Sequence, residues 1–127
     1  MFQLGAIMQF ENDIFDIYKD FKNGIQTLPT TVTKSNKLRK LYSEQIKLFI
    51  KLCYKMDFPK GQISNFLDGV MPVLNRGCVC LDRYQFLENS NNGLFDLESF
   101  NRKQLICDME TISNLFKTIK YQIVNYY

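Results

Sequence analysis

The chain contains no histidine and no tryptophan. Without an imidazole there is no Ser-His-Asp or Cys-His pair, no His-ligated catalytic zinc and no His general base. Its six glycines are scattered singly, so neither a GxxxxGKS/T nor a GxGxxG phosphate loop is present. These absences remove the commonest catalytic frameworks, and no enzymatic activity is expected. Long apolar runs are missing too: no stretch approaches the ~20 residues that span a bilayer. The start, Met1 to Phe10, is apolar but has no basic head and no small-residue cleavage site, as a secretory signal would. The chain is therefore read as intracellular, in the cytoplasm, with its four cysteines as reduced thiols.

What is present suits a packed core. The 127 residues fit one domain over 1–127, and 46% hydrophobic against 23% charged residues is a globular balance. Eleven Phe and seven Tyr supply large apolar area without disulfides. The abundance of Asn, Lys, Ile, Phe and Tyr favours A/T-rich codons, as in the genomes of many viruses, phages and low-GC bacteria.

Helical periodicity dominates. Ile7, Phe10, Ile14, Ile17 and Phe21 follow steps of three and four, which predicts a helix over 5–22 closed by Asn23-Gly24. Leu38, Tyr42, Ile46, Phe49, Cys53 and Met56 predict a second over 35–56, opened by Thr33 or Ser35 and stopped by Asp57-Phe58-Pro59. Shorter helices are expected over 60–69 and 78–88, separated at Asp68-Gly69, Pro72 and Arg76-Gly77, with a loop at residues 89–93. A last helix is expected over 96–125 with Asp96 as N-cap. Its seam of Leu105, Met109, Ile112, Phe116, Ile119, Ile123 and Tyr126 is the most regular in the chain. Amphipathic helices must cover one another, so the expected fold is all-α, a bundle of four to six helices.

Candidate chemistry is sparse. Structural zinc favours cysteines two to four residues apart in two pairs, whereas Cys78 and Cys80 are separated by one residue and Cys53 and Cys107 lie in helical patterns. Neither a metal nor a cofactor is expected. Asp13, Asp16 and Asp20 read as a solvated helix face. The strongest charge signal lies between Lys34 and Lys60, where eight basic residues face Glu44 and Asp57, a local +6 in a chain of net +3. Lys37, Lys40, Lys47, Lys51 and Lys55 form a stripe that attracts an acidic protein surface or phosphates. Lysine outnumbers arginine there, which disfavours bidentate reading of bases. Phe2, Phe15, Tyr18, Phe100, Tyr121 and Tyr127 fall off the strict apolar stripes and suggest an interaction surface, with Tyr121 and Tyr127 extending the last seam toward a partner or a second copy. The expected function is a small binding protein that docks on another macromolecule, most simply a protein, in a regulatory or inhibitory role. The alternative is a nucleic-acid accessory protein using the basic helix.

Overall fold

Apolar residues at helical spacing set the first element. The computed structural model, which describes residues 2–32 and 34–106 together with 117 and 120, begins with α1 (Phe2–Phe15) and α2 (Ile17–Lys22). The ladder continues through the break between them, because the Asp16 amide donates to Asn12 O and the Asp20 amide to Asp16 O, both at 2.8 Å. Ile7, Ile14 and Ile17 are buried, while Phe10 and Phe21 are half-buried against the core. Gly24 then adopts φ +69°, and the Ile25 amide reaches back to Asp20 O at 2.9 Å. A side chain at that φ would be strained, which is why glycine ends the helix.

After the single turn of α3 (Leu28–Thr31), α4 (Ser35–Tyr54) and α5 (Lys60–Ser90) form the centre of the fold. They run antiparallel: Ser35 meets Glu88, Tyr42 meets Leu74, and Phe49 meets Phe66 edge-on at 6.4 Å. Leu38, Tyr42, Ile46, Phe49 and Cys53 face Leu67, Met71, Leu74 and Leu81 in the shared core. Each fully buried large aliphatic side chain contributes roughly 1.5–3 kcal/mol. Helix α1 packs across both, against the direction of α4, with Gln3 bonded to Gln45 and Phe10 edge-on to Tyr42 at 5.7 Å. Beyond α5, Asn92 and Gly93 take positive φ and turn the chain into a 3-10 turn (Leu97–Ser99) and the short α6 (Arg102–Leu105). No described residue lies in a strand, and the described chain is all-α.

Several local expectations are corrected. Residues 60–90 are one helix and contain Pro72, although proline removes an amide from the ladder and crowds the carbonyl four residues earlier. Apolar packing overrides that cost, since Leu67, Met71 and Leu74 on both sides of Pro72 are buried. Gly77 does not end a helix. A Cβ there would lie 2.6 Å from the Tyr42 ring, so glycine admits the aromatic ring to the helix surface. Met56 is exposed because α4 stops at Tyr54, and Phe100 is buried against Phe95 at 5.9 Å rather than exposed. Ser35 is the first helical residue of α4 and not its cap, a position held by Lys34. Asp96 does cap, accepting the Glu98 amide at 3.1 Å, but it opens only the 3-10 turn. Thr33, Cys107, the seam from Met109 to Tyr126, and Tyr121 and Tyr127 lie outside the described residues, as does the side chain of Phe2.

Candidate functional site

Two carboxylates occupy core positions, and both are committed to holding helices together. Glu11 follows Ile7 by four and precedes Ile14 by three, so α1 carries it inward, where it is 4% exposed. Its Oε2 lies 3.0 Å from the Tyr42 hydroxyl, and its Oε1 lies 3.5 Å from the Arg76 guanidinium. The same Tyr42 hydroxyl is closer still to Leu74 O. The Tyr42 hydroxyl therefore donates toward both Leu74 O and Glu11 Oε2. Burial raises the Glu11 pKa, with the Tyr42 hydrogen bond and the Arg76 guanidinium opposing that rise. Tyr42 in turn is pushed far up by burial and by the neighbouring Glu11.

Glu88 performs the second task. Its Oε2 accepts from the Ser35 amide at 3.1 Å and from the Ser35 hydroxyl, so a residue near the end of α5 caps the start of α4. Lys34 reaches the Gly93 carbonyl and stands 3.9 Å from Glu88 Oε1. Arg39 pairs with Asp82 across the same helix pair. Tyr84 donates toward Ile14 O at 2.8 Å and Leu105 O at 3.1 Å, and Arg83 reaches Gln104 O at 2.7 Å, which fastens α1 and α6 to α5.

Burial disfavours the thiolate at Cys78 and Cys53. Cys78 and Cys80 project about 200° apart around one helix, so they cannot converge on a single ion. Burial pushes the Cys78 thiol up to about 12, with Asp82 and Glu11 adding to the rise and Arg39 opposing it, and burial also raises Cys53. The thiolate, the nucleophilic and metal-binding form, is thereby disfavoured. Among the described residues no three His, Cys, Asp or Glu side chains gather into a metal site. Asp16 is exposed, while Asp13 accepts from Gln9 at 3.1 Å on its own helix.

The solvent face of α4 is different in kind. Lys37, Lys40, Lys47, Lys51 and Lys55 are all exposed, in a sector turned away from Leu38, Ile46 and Cys53. They extend over ~27 Å at 1.5 Å per residue. Among the described residues the ion pairs are Lys34–Glu88, Arg39–Asp82 and Arg76–Glu11, so none of the five stripe lysines is in one. Glu44 is the one acid within the stripe.

Beside the lysines runs a row that sequence inspection missed. Leu41, Leu48 and Leu52 are about two-fifths exposed and border the buried face. The signal was available: Leu41, Gln45, Leu48 and Leu52 step by four, three and four, a second apolar track next to the core one. It leads to Tyr54, Met56 and Phe58, the last 60% exposed at the α4–α5 turn. The structure thus brings the five lysines together with exposed leucines, and the two hydrophilic and apolar tracks run side by side. Comparisons of the chain with protein-family models, with curated proteins and with solved structures find no match.

Proposed function

We propose that this chain is a non-catalytic binding protein that docks through the outer face of α4 onto an acidic surface of a protein partner, in a regulatory or inhibitory role inside the cell. One observation carries the reading: exposed Leu41, Leu48 and Leu52 lie directly beside five lysines that form no ion pair among the described residues and have one acid, Glu44, in their midst. Exposed apolar rows flanked by charge are typical of protein interfaces, where the apolar part supplies affinity and the charges supply orientation and rate. The interior acids and tyrosines are occupied in fastening helices and support no competing catalytic reading.

The lysine stripe by itself also suits a phosphate backbone, and nucleic acid is the second reading. The leucines separate the two, because a phosphodiester backbone makes no use of an aliphatic row. The test is Lys47→Glu, Lys51→Glu and Lys55→Glu in one variant, compared with wild type in retention of partners from a cell extract. All three side chains are exposed, so the helical signal and melting temperature should not change. The expected result is a nuclease-resistant protein partner held by wild type and lost by the variant, with moderate salt dependence. Retention of nucleic acid, falling steeply as salt is raised, would replace the proposal with the second reading.

A further inference from the structure

The turn between α4 and α5 exposes a group of apolar side chains. Gln3 near the start of α1 bonds to Gln45, and Leu48 and Leu52 lie one and two turns further along α4. At that end no described helix lies over Leu48, Leu52, Met56 and Phe58, which are all exposed. Between the end of α4 and the start of α5 is an open cavity of about 250 Å³ lined by Met56, Phe58, Gln62, Ile63 and Phe66. Its floor is firm, because Ile63 is buried and Phe66 stacks edge-on against the core residue Phe49. Gln62 is the one polar side chain in the lining.

Size and charge together specify an occupant. The volume lies below the ~300–1,000 Å³ usual for small-molecule sites, which suits one large apolar side chain rather than a cofactor. In the sequence the exposed Lys55 and Lys60 bracket the lining residues Met56 and Phe58, with Asp57 the one acid between them. An anchor entering this cavity would therefore carry its neighbours into a positive field. We infer that the hairpin tip is a peptide-docking site that receives one Phe-like or Leu-like anchor flanked by Asp and Glu from a protein partner. This rests on the proposed function above and adds the chemical identity of what is recognised. Anchors in desolvated pockets dominate such contacts, with charged rims setting orientation.

The experiment uses the full chain and four labelled synthetic peptides of equal length: a central Phe flanked by Asp and Glu, the same with Leu, the same with Ser, and the Phe peptide with Lys as flanks. Fluorescence polarisation in low salt reads binding. The acidic Phe and Leu peptides should bind about tenfold or more tighter than the acidic Ser peptide. Phe58→Ala and Gln62→Trp, which remove a wall and fill the mouth, should each erase that preference while leaving the melting temperature unchanged. Equal binding of the acidic Phe, Leu and Ser peptides, lost in the triple Lys→Glu variant, would overturn the anchor site and leave the proposed function standing. No preference for acidic over basic flanks, or no binding at all, would overturn both. Phe58-dependent dimerisation in light scattering, or Phe58-dependent binding to phosphatidylglycerol vesicles, would replace the peptide with a second copy or a membrane surface.

Discussion

Gly77→Ala should destabilise the fold, whereas Gly69→Ala, two turns earlier on the same helix, should stabilise it. Helix propensity favours both changes, by about 0.5–1 kcal/mol each. At Gly69 nothing lies within 4 Å of the added methyl, so that gain is expected in full. At Gly77 the methyl would sit 2.6 Å from both Tyr42 Cζ and the Tyr42 hydroxyl oxygen, and 2.9 Å from Cε1. Tyr42 is fully buried and cannot swing into solvent. Overpacking of this sort costs roughly 1–3 kcal/mol. Displacing the ring also weakens its contacts with Leu74 O and Glu11, adding roughly 1–3 kcal/mol for the buried polar groups left behind. The balance is a net loss of about 1–5 kcal/mol, against a gain of up to about 1 kcal/mol at Gly69. In a domain of this length each kcal/mol moves the melting temperature by about 3–5 °C, so the two variants should move in opposite directions in one thermal melt. A Tyr42→Leu background should shrink the Gly77→Ala penalty, because the colliding ring is gone. A Gly77→Ala protein that melts at or above wild type would refute the argument that this glycine exists to seat Tyr42.

Glu11→Gln tests the buried proton. Burial raises the Glu11 pKa above 4.5, so the folded state holds a proton that the unfolded chain releases as pH rises through that window. Wild-type stability should therefore fall relative to Glu11→Gln between pH 4.5 and the raised value, at no more than ~1.4 kcal/mol per pH unit. Arg76, Tyr42 and Cys78 are the titratable or charged groups facing it, and Gln keeps an acceptor for the Tyr42 hydroxyl. Parallel urea titrations across that range measure the difference, and parallel curves for the two proteins would mean that Glu11 is ionised in the fold. Glu88→Ala should cost about 2–4 kcal/mol, because the Ser35 amide and hydroxyl lose their acceptor at the start of α4. Glu88→Gln should recover much of that loss in the same denaturation experiment, and an Ala variant as stable as wild type would show that water replaces the carboxylate.

The parts of the fold legible in the sequence are those where period and packing agree. Ile7, Ile14 and Ile17, and Leu38 through Cys53, are buried as their spacing predicts. The reading failed where local preference and tertiary packing pull apart. Gly69, Pro72 and Gly77 each argue for a break, yet α5 runs through all three because its two halves bury one continuous row against α4. Nothing local to Gly77 announces Tyr42, which lies 35 positions away in the chain. Glu11 and Glu88 could have been noticed as charges at core positions, since Glu88 follows Tyr84 by four as Glu11 follows Ile7. Their partners could not, because Tyr42, Arg76 and Ser35 come from other helices. The lysine stripe was plain in the sequence, but the leucine row beside it was masked by the stronger core track on the same helix.

The buried polar contacts bear on how α4 would serve as the proposed docking element. A helix with five lysines and a single acid, Glu44, on one side carries a self-repulsive charge that a short isolated helix would not tolerate well. Here its first turn is held by Glu88, its middle by Tyr42 through Leu74 and Glu11, and its flank by Arg39 to Asp82. None of these contacts draws on the lysines or on Leu41, Leu48 and Leu52. Among the described residues, α4 is fastened from its inner side and its outer tracks take no part in these contacts. A rigid, preformed face pays little ordering entropy on binding, so its modest apolar area can still give useful affinity. Neutralising the stripe by charge reversal should accordingly change association while the fold, whose fastenings lie elsewhere, stays as it is.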